Sequence, residues 1–124
     1  MKINRTLVSV VDDDESVRES LPDLLSEFGF ATQVFSSAEE FLESGYVVQS
    51  KCLILDIAMP GMTGPDLKRA LAIRGHNIPV IFITANKDET IRPRMLKIGA
   101  VECLFKPFSD TELLRAINAA LGLK

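Results

Sequence analysis

The chain has few of the features that mark secreted or membrane-spanning proteins. Its 124 residues include only two cysteines, Cys52 and Cys103, both within apolar runs. Their spacing does not suit a structural zinc site, and buried free thiols are the expected state. No apolar run approaches the length that spans a membrane. The first five residues, Met1 to Arg5, lack the apolar core of a signal peptide. We therefore expect a cytoplasmic protein with no membrane association.

Excess basic charge is also missing. Fourteen lysines and arginines stand against seventeen aspartates and glutamates, which gives a formal net charge of −3. Because contact with a phosphate backbone needs a basic face, we expect no direct nucleic-acid binding by this domain. The sequence shows no repeat, linker or low-complexity segment. Its length, with 47% hydrophobic and 25% charged residues, is typical of one globular domain over residues 1–124, and we expect no further domain in this chain.

Five short strand-like runs alternate with five helical patterns. Four runs, near residues 6–11, 52–55, 78–83 and 101–105, are apolar enough to be buried on both faces. The run at residues 31–35 is more polar and is expected at the edge of the sheet. Alternation of this kind predicts an α/β protein with a parallel sheet and right-handed crossovers. Pro93 limits where the fourth helix can begin, so we expect a short helix that starts near Ile91 or Arg92.

Acidic residues follow two of these strands directly. Asp12, Asp13, Asp14 and Glu15 follow the first, and Asp56 ends the third. In such sheets the carboxyl ends of the strands meet at one edge, where ligands bind. Clustered carboxylates are costly without a cation, and Mg2+ prefers oxygen ligands. The pattern therefore predicts a site for Mg2+ or Mn2+, although Asp13 or Asp14 can cap the next helix and a lone Asp56 fits a turn equally well.

A hydroxyl and an ammonium group follow the remaining two strands. Thr84 ends the fourth and Lys106 the fifth. Each has a simpler interpretation, since threonine is favoured in strands and lysine is common in solvated loops. Combined with the acids, they would form a site in which a carboxylate attacks a phosphoryl group. The cation and the ammonium would then neutralise charge on the phosphoryl oxygens.

Four markers, taken in order, resemble the receiver domains of two-component response regulators. The markers are Asp12-Asp13, Asp56 with Met59-Pro60-Gly61, Thr84-Ala85, and Lys106-Pro107-Phe108. The resemblance covers nearly the whole chain, and four markers at these spacings are specific. Residues 11–18 and 35–42 are further similar to receivers of the nitrogen-fixation regulator type. Those receivers usually precede a helix-turn-helix DNA-binding domain.

The resemblance implies a flavodoxin-like fold with five βα units, in which the strand order is 2-1-3-4-5. It implies that Asp56 is the phosphoacceptor and that Asp13 is the direct Mg2+ ligand, with Asp12 assisting. The backbone carbonyl of Ala58 would be a further ligand. Thr84 and Lys106 would each contact a phosphoryl oxygen.

The resemblance also implies partners and a signalling role. A histidine kinase or a phosphotransfer protein would supply the phosphoryl group, and the chain would catalyse only its own phosphoryl uptake and loss. Phosphorylation would act through residues 90–121 and could favour a homodimer. One departure concerns Cys103, since the family usually carries Phe or Tyr there; a neighbour such as Phe105 can substitute. The Lys106-Pro107 bond can be cis or trans.

Three other functions are compatible with parts of the pattern. A receiver-like binding module could signal without phosphorylation. A phosphohydrolase of the haloacid dehalogenase kind would use Asp12, after the first strand, as its nucleophile. A flavodoxin-like cofactor protein would need a neutral, hydroxyl-rich phosphate loop, whereas residues 12–15 are acidic and would repel a phosphate.

Overall fold

A computed structural model describes residues 5–123, which form five strands and five helices in strict alternation. The strands are β1 (Leu7–Val11), β2 (Ala31–Phe35), β3 (Cys52–Asp56), β4 (Val80–Thr84) and β5 (Glu102–Phe105). The helices are α1 (Glu15–Glu27), α2 (Ala38–Glu43), α3 (Gly64–Ile73), α4 (Ile91–Lys97) and α5 (Asp110–Ala120). The predicted absence of a signal peptide depends on Met1 to Arg5, and of these only Arg5 is among the described residues.

The strands form one parallel sheet in the order β2-β1-β3-β4-β5. The predicted fold class and strand order are confirmed. The polar strand β2 lies at an edge, as its composition indicated, and β3 is buried along its whole length. Register brings the strand ends together, since Val11 pairs with Leu55 and Asp56 with Ile83.

Apolar side chains cover both faces of the sheet. On one face, α2, α3 and α4 pack against residues such as Leu53, Leu55 and Phe82. On the other face, α1 and α5 pack against residues such as Ile54 and Ile81. The resulting three layers explain why the central strands are continuous apolar runs, because a strand that is buried on both faces has no solvent side.

Four of the helices begin at a side-chain cap. Asp14, Ser37, Thr63 and Ser109 each accept a backbone N–H in the first turn of their helix. Helix α4 differs, because Thr90 makes no such bond. It begins at Ile91, as expected from Pro93, which occupies the first turn where the missing N–H costs least.

Strand β4 is shorter at its start than the sequence suggested. It begins at Val80 and not at Ile78, and it includes Thr84. Pro79 has no N–H to donate to a ladder, although its carbonyl still accepts from Leu53 at 2.9 Å.

Cys52 and Cys103 are buried free thiols, as predicted. Across residues 5–123, no helix combines the length and the apolarity needed to cross a membrane.

Candidate functional site

Three carboxylates lie together at the carboxyl edge of the sheet. Asp12 follows β1, Asp13 follows Asp12, and Asp56 ends β3. Each offers an oxygen, and these oxygens lie within 4.8 Å of one another. Asp12 is 0% and Asp56 6% exposed, whereas Asp13 is exposed. The arrangement arises because β1 and β3 are neighbours in the sheet and end at matching positions.

The loop that carries Asp12 and Asp13 is held on both sides. The carboxylate of Asp12 accepts the backbone N–H of Asp14 at 3.0 Å. The guanidinium of Arg18, one turn into α1, donates to the backbone carbonyl of Asp12 at 2.9 Å. Asp14 itself caps α1, and hydrogen bonds from Ser16 lower the pKa of its carboxyl. Of the three successive aspartates, the third is therefore the helix cap.

Asp56 lies in an environment that opposes its negative charge. Burial raises the pKa of its carboxyl to about 7, and the negative charge of Asp12 adds to this effect. The positive charge of Lys106 acts in the opposite direction. A nearby cation would stabilise the charged form of Asp56, because it would offset the repulsion between the buried carboxylates of Asp12 and Asp56.

Lys106 forms an ion pair with the most buried of these acids. Its Nζ lies 2.8 Å from Oδ2 of Asp12. Burial by itself would lower the pKa of Lys106, but the hydrogen bond and the charge of Asp12 outweigh burial, and the net pKa is raised. The ammonium thus remains charged beside the cluster. The Lys106-Pro107 bond that follows is cis, which answers a question that the sequence left open.

Thr84 lies at the end of β4, next to the end of β3. It follows Ile83, the residue that pairs with Asp56, and it is 3% exposed. Its Oγ1 accepts the backbone N–H of Asn86 at 3.1 Å. This bond uses a lone pair of the oxygen and leaves the hydroxyl proton available for donation to an anion.

The segment after Asp56 folds back against the end of its own strand. The N–H of Gly64 donates to the carbonyl of Ile57 at 2.9 Å. A Cβ on Gly64 would lie only 2.4 Å from the backbone oxygen of Asp56, so glycine is required at this close approach. Ala58, two residues after Asp56, is exposed in this loop.

A groove of about 640 Å³ opens beside the cluster, between α1 and the segment after β5. Apolar side chains of Val17, Leu21 and Leu24 line one side, and Pro107 and Phe108 line the other. Lys106 belongs to the same lining.

The donor set fits a hard divalent cation. Three carboxylate oxygens within 4.8 Å of one another form a negative pocket, partly buried and partly open through exposed Asp13. Mg2+ takes oxygen ligands, needs only one or two carboxylates, and retains several waters. Neither Cys52 nor Cys103 belongs to the cluster, so the pocket does not have the sulfur ligands that would favour a softer metal.

Comparison with known proteins agrees with this fold. The sequence profile of the response regulator receiver domain matches residues 8–118. The response regulator protein TmoT of Ectopseudomonas mendocina is 40% identical over 123 residues, which is 99% of this chain. The transcriptional regulatory protein FixJ of Rhizobium meliloti (strain 1021) is 42% identical over 113 residues, or 91% of this chain. The crystal structure of FixJ-N superposes with a TM-score of 0.84 at 38% identity, covering 97% of this chain and 96% of that one.

The chain belongs to the response regulator receiver domain family. It is a receiver domain of a two-component response regulator, a signalling class, and the predicted resemblance is confirmed. The chain spans 56% of the length of TmoT and 55% of that of FixJ. Because the chain matches only part of those longer proteins, their functions as whole proteins are not assigned to this chain.

Two residues at the site escaped the sequence analysis. Arg18 supports the acidic loop through the Asp12 carbonyl, and Glu39 of α2 contacts the loop after Asp56. Arg18 is only six residues from Asp12, so its position in the first turns of α1 offered a local signal. Glu39 lies within residues 35–42, which carry part of the family resemblance, but no local pattern indicated its contact with Met62, because that contact spans 23 residues and depends on how the helix packs.

Proposed function

We propose that this domain takes a phosphoryl group from a histidine side chain of a partner onto Asp56, in a reaction that depends on Mg2+. The observation that carries the proposal is the cluster of Asp12, Asp13 and Asp56, with Lys106 paired to Asp12 at 2.8 Å. It combines a nucleophilic carboxylate, a pocket for a cation and a fixed ammonium at one edge of the sheet. This is the set of groups that phosphoryl transfer to a carboxylate needs.

The transfer exchanges one bond to phosphorus for another. A carboxylate oxygen of Asp56 forms the new O–P bond as the N–P bond of the phosphohistidine breaks. The phosphorylated nitrogen leaves with the bonding electron pair, and because the other ring nitrogen of the phosphohistidine already carries a proton, the donor is left with a neutral imidazole. Thr84 would donate its hydroxyl proton to one phosphoryl oxygen, and Lys106 would move its ammonium toward another.

Asp12, Asp13 and Asp56, together with the backbone carbonyl of Ala58, would hold the metal. Asp13 is the proposed direct ligand, and buried Asp12 would assist. When bound, Mg2+ (or Mn2+) supplies positive charge that offsets the negative charge of the phosphoryl oxygens. The chain's own residues supply the remaining conditions: burial of Asp56, the fixed ammonium of Lys106 and the hydroxyl of Thr84.

The partner would be a histidine kinase or a phosphotransfer protein that docks in the groove beside the site. Its apolar lining from α1 and from Pro107-Phe108 adjoins Lys106, so a docked partner could present its histidine to Asp56. Membership in the response regulator family supports a partner of this class. Because the acids leave a net charge of −3, we do not propose nucleic-acid binding by this domain.

Mass spectrometry after incubation with Mg2+ and acetyl phosphate tests the proposal. The intact protein should gain one phosphoryl group, and the gain should disappear in Asp56→Asn and in EDTA. Asp13→Asn should be labelled only at higher Mg2+, because it retains the nucleophile. Labelling that survives in Asp56→Asn but is lost in Asp12→Asn would favour a phosphohydrolase. Absence of labelling in the wild type, from acetyl phosphate and from a phosphorylated kinase, would favour a binding module.

We further propose that phosphorylation acts through the face formed by α4, β5 and α5. Thr84 and Lys106 begin the loops that lead into α4 and α5, so movement of either side chain reaches this face. Helix α4 has seven residues, and its N-cap Thr90 makes no side-chain hydrogen bond, so its first turn lacks a support that the other four helices have. Such an element can have two arrangements that a phosphoryl group biases, with a homodimer as one outcome.

Hydrogen exchange, with and without beryllofluoride, tests the switch. Exchange should change in residues 90–121, whereas β2 and α2 (Ala31–Phe35 and Ala38–Glu43) should remain nearly constant. The opposite pattern, with changes confined to β2 and α2, would contradict this proposal. Sedimentation velocity on the same samples would show whether a dimer forms.

A further inference from the structure

Glu39 of α2 contacts the tip of the β3–α3 loop. Its Oε2 accepts the backbone N–H of Met62 at 3.2 Å, although the two residues are 23 positions apart in the sequence. The same loop carries Ala58, the proposed backbone ligand of the metal. The side chain therefore joins an edge helix to the segment that directly follows the phosphoacceptor.

Gly61 makes room for this contact. It has a φ of +75°, and a Cβ at this position would lie 2.8 Å from Oε2 of Glu39. The carboxylate thus occupies the space that any other side chain would fill. A larger residue at position 61 would therefore displace either the Glu39 carboxylate or the loop tip.

The rest of the loop is secured independently of Glu39. At its base, Gly64 donates to the carbonyl of Ile57, and Met59 is 6% exposed within the core beneath α2, α3 and α4. The tip, formed by Gly61 and Met62, receives its polar support from Glu39. Loss of that support would loosen the tip while the core contacts of the loop persist.

We propose that Glu39 is a positioning residue for the metal site. It holds the loop tip at Met62, and so restricts movement of the loop beyond what the burial of Met59 and the bond from Gly64 provide. This restriction would help to keep the Ala58 carbonyl where it would ligate the cation together with Asp12, Asp13 and Asp56. The inference rests on the proposed function, because it assigns a purpose to the loop that follows Asp56. Glu39 acts through the backbone and does not touch the metal itself.

The neighbouring residue, Glu40, provides a matched control that separates a purely structural role of Glu39 from a role at the metal site. Both Glu39 and Glu40 lie in the first turn of α2, where a carboxylate favours the helix dipole. Glu40 bonds only locally, accepting from the hydroxyl of Ser36 at 2.9 Å. Replacement of either residue by alanine removes one first-turn charge, but only the change at Glu39 removes the contact with Met62.

The experiment compares Glu39→Ala, Glu39→Gln and Glu40→Ala with the wild type. Calorimetry measures the Mn2+ affinity, and NMR measures hydrogen exchange at the Met62 amide. Phosphoryl uptake from acetyl phosphate is described by its kcat and KM. Glu39→Ala should bind Mn2+ about threefold to tenfold more weakly, which is the size of the contribution of one ordinary hydrogen bond, because the contact with Met62 is exposed to solvent. It should also expose the Met62 amide and raise the Mn2+ concentration needed for half-maximal uptake. Glu39→Gln should recover part of the affinity, and Glu40→Ala should match the wild type in all three readouts.

A second variant, Gly61→Ala, tests the same contact from the other side. It should weaken Mn2+ binding, and the loss should be smaller in a Glu39→Ala background, since contacting residues couple. If Glu39→Ala does not fold, Glu39→Gln and Gly61→Ala in the wild-type background decide the question, since both should bind Mn2+ more weakly than Glu40→Ala. Equal Mn2+ affinity and equal Met62 exchange in Glu39→Ala and Glu40→Ala would overturn the inference. A wild type that binds Mn2+ but takes up no phosphoryl group would refute the proposed function instead, while the affinity comparison would still decide the role of Glu39.

Discussion

The ammonium of Lys106 lies 2.8 Å from the carboxylate of Asp12, so the cation at the end of β5 is paired with the acid at the end of β1 and not with Asp56. Asp12 is fully buried, and the side chain of Lys106 is 18% exposed. The pair spans the edge of the sheet across the ends of β3 and β4. A phosphoryl group on Asp56 would offer Lys106 a second anionic partner, which makes this ion pair the contact that phosphorylation would disturb first.

Removal of the Lys106 charge should destabilise the metal-free protein. Lys106→Met leaves the buried Asp12 carboxylate without its cation, and we expect a loss of about 1–3 kcal/mol in the free energy of unfolding. Urea denaturation in EDTA measures this loss. Mg2+ should recover part of it by supplying another positive charge, whereas exposed Lys87→Met should behave like the wild type. Equal stability of the Lys106→Met and Lys87→Met variants in EDTA would show that the ion pair contributes nothing.

The raised pKa of Asp56 predicts a pH dependence of stability without metal. The carboxyl has a pKa of about 7 in the folded protein, against 3.8 ordinarily. The folded state therefore holds this proton more tightly than the unfolded chain. The stabilisation is complete below the ordinary pKa and is lost as pH rises through about 7. In EDTA, the melting temperature should thus fall between about pH 5 and 8.

Asp56→Asn provides the control for this titration, because the amide does not ionise. Its melting temperature should vary less across the same pH range than that of the wild type. Mg2+ should stabilise the wild type most at the upper end of the range, where the carboxylates are charged, by about 2.7 kcal/mol when its concentration is a hundredfold its Kd. Parallel pH profiles for the two proteins would mean that Asp56 is not the titrating group.

A second ion pair should control how firmly α4 lies against β5. Both Nε and Nη2 of Arg92 approach Oε1 of Glu102, at 2.8 and 2.6 Å. Arg92→Gln should increase hydrogen exchange in α4 and reduce stability by about 0.2–1 kcal/mol, the range of exposed pairs. Arg69→Gln is the matched control, since the ion pair between Arg69 and Asp66 is longer, at 3.9 Å, and lies within α3. The prediction is wrong if both variants leave exchange in α4 at the wild-type rate.

Cys103 occupies a closely packed place in the core. It is 1% exposed beneath α4, in the same cluster as Phe82 and Met95, and burial raises the pKa of its thiol. Cys103→Phe would bring the ring that receivers usually carry, and it should cost about 1–3 kcal/mol because the site is filled. Urea denaturation checks this, with Cys103→Ser as a variant of similar size. Undiminished stability of Cys103→Phe would mean that the ring turns into the neighbouring groove of about 480 Å³.

Much of the fold followed from local pattern. Short buried apolar runs such as Cys52–Asp56, bounded by turn residues, are typical of central strands in a sheet that is covered on both faces, and their alternation with helices favours a parallel sheet. Pro93 led us to expect a start of α4 near Ile91 or Arg92, and the helix begins at Ile91. The strand order came from family resemblance, since alternation by itself does not specify which strands are neighbours.

The sequence by itself determined that acids, a hydroxyl and an ammonium follow the strand ends, because strand direction places them all at one edge. Only the tertiary structure decided which of these side chains is buried, paired, exposed or used as a helix cap. It buried Asp12 against Lys106, left Asp13 exposed in the cluster and used Asp14 as the helix cap. It also brought Glu39 to Met62. These outcomes depend on the register of neighbouring strands and on how the helices pack over them, and distances between residues far apart in the chain are set by packing and not by local pattern.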